Sequence, residues 1–565
     1  MEFIQRKTAD RAVNHFLLKA ADQEITVAWD RFESQLPECG FCESGLSCRD
    51  CLQGPCISHP FRDQSKLGVC GKGKDVLAAQ SLLRLVLKGT MSYLDQLNDF
   101  VNQIRAGAVE PTDKDQTAQT LKAAMDLLHT GNSAVAGEFS ASLLEGWKTA
   151  GVMPKGIAND VFKASQCLEG GISDMEETLL WAFKASLLGC MAARLQYQLK
   201  AAVFGSTAAS ELEVNLGVLK KDGPIALIYG PVSPVLKQKI ARAAREKNVS
   251  VMGVCTDPLL PPYRFFPVTT YVSQEIPLMT GAVDLIVAGS QYVNPSMAAV
   301  AKDWKVAVVR ADGLNQDTDP EALAQKIAAQ TAQAFEVRQN ITRDIPMVKE
   351  SAVMGYSAAQ VDINKIVKAL EGGKIKGITI LAGSNNVKYT QDEVLVTIAK
   401  QFLAEDILCI SDGEASVSLA KYRLLDPARR DKDCGDGVKD LLASLGENIP
   451  SVIDWCMTDF LLALDAAGSK GLADYPICAY LPEASRTAEV TKAMWTVAMG
   501  VSTYFWPCLP VTGSAKTRQA LSDFCRQKFG AKLHVVTQKI DARTKAGLFL
   551  NEIDAPASMS GKSWE

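Results

Sequence analysis

Six of the fifteen cysteines lie between positions 39 and 70, as Cys39, Cys42, Cys48, Cys51, Cys56 and Cys70, while the other nine are scattered from Cys167 to Cys525. The spacings within the cluster run 2, 5, 2, 4 and 13 residues. Short loops of this kind can wrap the iron corners of a cubane. Gly54, Pro55, Gly68 and Gly71 supply turns that aim backbone N–H groups at sulfur, where hydrogen bonds tune the reduction potential. Zinc is the competing occupant, but structural zinc sites use two C-x2-C pairs separated by a longer span. The spacing therefore favours iron–sulfur. Thiols clustered in a chain without a secretory signal point to metal or redox chemistry, not disulfides.

The rest of the chain must position this segment. Its 565 residues exceed what one core holds, so two to four domains are expected. With 47% hydrophobic and 22% charged residues the composition is that of an ordinary globular protein. A net charge of -4, with no long Lys/Arg run, lacks the electrostatic footprint of nucleic-acid binding. Residues 1–7 have no apolar signal core, and no membrane span is expected, so the reading is cytoplasmic.

Residues 1–220 read as a helical domain carrying the cysteine segment, with helical apolar spacing over 76–87, 121–128 and 178–204. Trp181, Phe183 and Met191 are expected in its core. From Pro224 the texture changes. Apolar strands at 225–229, 249–254, 283–287 and 306–309 alternate with helices at 232–246 and 296–304, giving a middle α/β domain over 221–350. A second such unit, 351–565, opens with a strand at 375–381, a helix at 391–404 and a strand at 407–410. The expected fold class is α/β: an N-terminal helical domain followed by two Rossmann-like parallel α/β domains. Ligands gather at the carboxyl ends of such strands, so chemistry is expected in the loops after Tyr229, Val254, Gly289, Ile410 and Trp455.

The cysteine segment resembles the N-terminal cluster region of the nickel-iron carbon monoxide dehydrogenases, relatives of the hybrid-cluster proteins. The runs 273–284, 381–388, 434–439 and 510–514 are similar to motifs of that family, in family order, over nearly the whole chain. The resemblance implies that Cys48, Cys51, Cys56 and Cys70 hold a 4Fe-4S cluster, and that Cys39 begins a second site shared across a dimer axis. The commoner family pattern puts the second thiol of that site just before Cys48, where this chain has Ser47. Cys39-x2-Cys42 resembles the variant associated with a 2Fe-2S cluster, a 4Fe-4S cluster being the alternative. A cluster with half its ligands from each subunit implies a two-fold homodimer.

The resemblance also implies a nickel-iron-sulfur cluster held by one histidine and five cysteines on the strand-end loops, and here most of those positions differ. No histidine stands in 229–234. Thr256 occupies the next ligand position, with Cys255 one residue early. Tyr292 and Glu414 replace two further cysteines, Cys456 is in register, and the last position falls on Ala479 beside Cys478. Replacing soft thiolates by oxygen argues against nickel, and a one-residue shift on a strand turns a side chain to the other face unless the backbone bulges. The histidines of the following helix are missing from 88–99, which offers only Tyr93, Asp95 and Gln96. Lys516 alone resembles the family's acid–base lysine. His15, His59, His129 and His534 are read as packing or surface residues.

The leading expectation is an iron–sulfur electron-transfer protein that keeps the relay clusters and has lost the nickel site, working with a redox partner such as a ferredoxin or a separate subunit. The alternative is an oxidoreductase whose remodelled iron-sulfur-oxygen centre uses Cys456, Cys255, Cys478, Glu414 and Tyr292, with hydroxylamine reduction as the analogous chemistry. For Glu414 a helix-capping carboxylate, and for Tyr292 and Cys409 buried packing, are the competing structural readings. True carbon monoxide oxidation is a third reading.

Overall fold

The computed structural model describes residues 6–59, 66–130, 137–169, 174–311, 319–535 and 540–554. Two long helices, Lys74–Arg105 and Met175–Phe204, lie along one another and form the spine of the N-terminal part. Asp174 caps the second by accepting from the Glu177 N–H, and Gly205 ends it at φ +89°. That helix is long and apolar enough to cross a membrane. However, 72% of its most apolar window is buried inside the fold, against Lys74–Arg105, Thr487–Ala498 and Lys114–Met125. Leu179, Phe183, Leu187 and Leu195 on it are each at most 1% exposed, and burial of such a side chain contributes about 1.5–3 kcal/mol. It is a core helix.

The middle sheet has five parallel strands in the order Ala307–Arg310, Leu285–Ala288, Ile225–Tyr229, Ser250–Val254 and Pro267–Thr269. The C-terminal sheet has six, in the order Val452–Asp454, Ile407–Ser411, Gly377–Leu381, Ile477–Leu481, Ser502–Phe505 and Leu533–Val535, all parallel. In each sheet the first strand in the chain is central and the strand order reverses beside it, the doubly wound arrangement that opens a crevice at the switch point. The strands Ile225–Tyr229, Gly377–Leu381, Ile407–Ser411 and Ile477–Leu481 are buried on both faces, as their unbroken apolar runs require.

In the middle sheet the two loops that border this crevice touch. Gly230 sits at φ +70°, and a Cβ there would lie 2.1 Å from the Gln291 carbonyl oxygen, so only glycine lets the two switch-point loops meet. An antiparallel ladder of Ser210–Val214 with Glu350–Met354 joins the entry and exit of the middle unit. The first helix, Arg11–Asp22, buries Val13 and Phe16 in one apolar cluster with Ile225, Leu227 and Val272, so the start of the chain sits on the middle sheet. The C-terminal unit docks through helix Thr487–Ala498, which packs on both long helices.

Candidate functional site

In the cysteine segment, Ser47–Cys48 and Cys56–Ile57 form a two-stranded antiparallel ladder with Cys48 directly opposite Cys56. The Val69 N–H donates to the Cys56 Sγ at 3.5 Å, which brings the turn bearing Cys70 onto the same sulfur. Cys48 is buried, Cys56 half-buried, and Cys51 and Cys70 are exposed. Beneath them the Arg84 Nε donates to Asp50 at 2.9 Å, Lys72 lies 3.7 Å from Asp50, and Cys48 bonds Asp50 at 3.3 Å. Burial, more than the Asp50 charge, pushes the Cys48 thiol up. Among the described residues no three His, Cys, Asp or Glu side chains converge as they would on a single ion.

Cys39 and Cys42 are exposed at the two ends of a short helical turn. N–H groups of Cys42 and Phe41 and the Cys42 side chain hold the Cys39 thiol below the ordinary thiol range. The Ser47 hydroxyl lies 3.5 Å from the Cys42 Sγ, so the Cys42 thiol occupies the neighbourhood of position 47. Lys388, from the loop after Gly377–Leu381, reaches Glu38 at 2.7 Å and Glu43 at 3.2 Å, the carboxylates flanking the two thiols. Burial opposes the Lys388 charge, but Glu38 and Glu43 outweigh it and raise its pKa.

A cavity of 370 Å³ opens where the long helices, the middle sheet and the C-terminal sheet meet. It is lined by Cys255, Tyr292, Glu414 and Cys456, each from a strand-end loop, with Pro231 and Pro234 in the loop where no histidine stands. Cys255 and Tyr292 both adopt left-handed backbone, at φ +56° and +59°, which side chains without special need avoid. The ladder slips by one residue between Gly253 and Val254. The left-handed backbone at Cys255 turns its thiol toward the cavity, where the Gln274 Nε2 donates to it at 3.3 Å. Thr256, also on the cavity wall, accepts from the Lys237 amine at 3.0 Å.

Charged side chains occupy the space among these groups. Arg486, from the loop after Ile477–Leu481, lies 3.5 Å from Glu414 and 3.0 Å from Glu489, with its guanidinium 4.6 Å from the Tyr292 ring centroid. Burial opposes that charge, but Glu414 and Glu489 hold its pKa above the ordinary value. Lys492 pairs with Asp412, and Lys200 with Asp257. Burial pushes the Lys237 amine down to about 7, Asp257 opposing and Lys200 adding. It also pushes up the Cys255 thiol, helped by Glu414, and the Cys456 thiol, helped by Asp412. Glu414 is thus an ion-paired carboxylate that also accepts from the Tyr271 N–H at 3.3 Å.

Two candidate residues are not brought to the cavity. Cys478 lies inside Ile477–Leu481 in unbroken register, and its thiol bonds the Thr379 hydroxyl at 3.5 Å within the sheet. Lys516 is exposed near the start of helix Ala515–Phe529. Cys409 is fully buried. The histidines lie elsewhere: His15 by Asp344, His59 against Phe41, His129 in the turn Asp126–Thr130, and His534 on Tyr504 and Glu552. Tyr93 and Gln96 do line the cavity, Tyr93 against Trp495. Sequence reasoning missed Arg486 and Lys492. The apolar run 477–481 would have pointed to the Arg486 loop as another strand end.

The Prismane/CO dehydrogenase family matches residues 46–140 and 114–539. The chain belongs to that family. Carbon monoxide dehydrogenase 2 of Carboxydothermus hydrogenoformans is 28% identical, covering 99% of both chains. Carbon monoxide dehydrogenase 1 of Methanosarcina mazei is 26% identical, covering 98% of both. Among solved structures, carbon monoxide dehydrogenase IV from C. hydrogenoformans superposes with a TM-score of 0.90 at 25% identity, over 97% of this chain and 99% of that one. The chain shares its α/β fold, with its parallel sheets, with that structure.

Proposed function

We propose that this chain is an iron–sulfur electron-transfer protein on the carbon monoxide dehydrogenase scaffold, with its relay clusters kept and its nickel site lost. Cys48, Cys51, Cys56 and Cys70 would hold a 4Fe-4S cluster. Cys39 and Cys42 would supply half of a cluster, 2Fe-2S or 4Fe-4S, shared with a second copy in a homodimer. When bound, these clusters supply one-electron storage. The protein's own part is to hold thiolates, aim N–H groups at sulfur and keep Asp50, Arg84 and Lys388 as fixed charges nearby. Electrons would pass to a ferredoxin or a separate subunit in a reducing, cytoplasmic setting, which clustered thiols used for metal binding suit.

The observation that carries this reading is Arg486, ion-paired to Glu414 and Glu489 and laid over Tyr292 in the cavity where a nickel-iron cluster would need thiolates. A guanidinium cannot ligate a metal. The donor set of two thiols, a carboxylate and a phenol beside two half-buried cations does not fit that cluster.

Iron and nickel counted per chain in protein purified without oxygen test the reading. About five irons, four from a cubane and one from half of a 2Fe-2S cluster, and no nickel are expected. Three or more further irons would favour a second reading, an oxidoreductase with a remodelled iron-sulfur-oxygen centre of the hydroxylamine-reducing kind. The left-handed backbone at both Cys255 and Tyr292 supports that alternative. Stoichiometric nickel with carbon monoxide oxidation would restore the activity named for the relatives.

A further inference from the structure

Cys508, far from the cysteine segment in sequence, opens on the same recess of 410 Å³ as Cys39 and Cys42, together with Glu38, Glu43 and Lys388. The juxtaposition is built by backbone contacts. The Gly513 N–H donates to the Ser44 carbonyl at 3.0 Å, and a Cβ on Gly45 would lie 1.9 Å from the Pro510 carbonyl oxygen. The loop bearing Cys508 is therefore clamped onto the turn that follows Cys42. Ser514 fastens its far end by donating to Asp75 at 2.6 Å, at the start of helix Lys74–Arg105. The Cys508 thiol is half-buried, and only weak bonds engage it, to the Leu509 carbonyl at 3.2 Å and the Thr512 hydroxyl at 3.4 Å.

We infer that Cys508 is a third thiolate ligand of the half-site, exchangeable with Cys42 on the iron held there. This rests on the relay reading of Cys39 and Cys42. On binding, the Cys508 S–H loses its proton to solvent and its sulfur takes the iron position that another thiolate leaves, that thiolate regaining a proton; no electron is transferred. Two copies then present six thiolates to a cluster that needs four. The spare pair lets the shared cluster stay anchored when one ligand dissociates, a use that soft, exchangeable thiolate ligation permits.

The test compares Cys42→Ser, Cys508→Ser and the double variant, purified without oxygen. Iron per chain and the electron paramagnetic resonance of the reduced protein are measured, with the Cys48–Cys70 cubane signal as internal standard for folding. Cys42→Ser is expected to keep a shared-cluster signal with altered line shape, and the double variant to lose it, with about one iron per chain less if the cluster is 2Fe-2S. Identical iron and spectra for Cys42→Ser and the double variant would overturn the inference. Cys39→Ser separates the two levels. If it leaves the spectrum of the native protein unchanged, the half-site reading itself fails and the inference with it. If it removes the shared signal while Cys42→Ser and the double variant behave identically, the half-site stands and Cys508 is no ligand.

Discussion

The two thiol-bearing regions differ in where their groups come from. In the segment over 39–70, the thiols sit on one short stretch whose own ladder and turns bring them together at the surface, and the nearby charges are neutralised locally by Asp50, Arg84 and Lys72. In the cavity, Cys255, Tyr292, Glu414 and Cys456 arrive from four strand-end loops of two sheets, and half-buried cations stand among them. A site made by one loop depends only on that loop's turns. A site made by four strand ends depends on the register of every strand, so a one-residue displacement removes a ligand, as the contrast of Cys255 with Cys478 shows.

Breaking the ladder should have the largest effect. Cys48→Ser and Cys56→Ser are expected to lose about four of about five irons per chain, whereas Cys255→Ser and Cys456→Ser leave the count unchanged. Iron analysis and visible absorbance check both arms, and iron lost from the Cys456 variant would erase the contrast. Next comes the interior. Arg486→Met strands Glu414 and Glu489 in a buried site and should destabilise by about 3–5 kcal/mol in anaerobic urea unfolding, with iron unchanged. Adding Glu414→Gln to that variant should recover part of the loss.

A third test sets proton dependence against iron dependence. Burial pushes Glu483, at the switch point of the C-terminal sheet, up to about 7 from its ordinary 4.5. Between those values the folded protein holds a proton that the unfolded chain has released, so stability falls as pH rises through that window. Glu483→Gln should flatten this slope in urea midpoints taken at about pH 5 and 7.5, while the segment's own stability follows iron loading. The smallest effect is expected at Lys388, whose partners are partly exposed. Lys388→Ala should cost about 1 kcal/mol or less and show itself mainly as a weakened shared-cluster signal beside an unchanged cubane.

Much of the fold was legible because its strands are continuous apolar runs. The strand at 225–229 is found as read, that at 407–410 extends by one residue to Ser411, and both sheets are parallel. The thiol segment was legible for the same reason that it is robust: its information is local. The cavity was legible only in part. Cys255 reads as displaced by one residue, and nothing in the sequence reveals the left-handed turn that returns it to the cavity. Cys478, displaced by the same single residue on a regular strand, stays inside the sheet. Arg486 went unread because its role depends on Glu414, Glu489 and Tyr292 meeting in space.

The pairing of Cys48 with Cys56 across the small ladder bears on maturation. Its backbone pairing sets these two sulfur-bearing residues side by side, and two of the segment's four proposed cubane ligands, Cys51 and Cys70, face solvent. A cluster held there would be within reach of a scaffold donor at the surface of the protein.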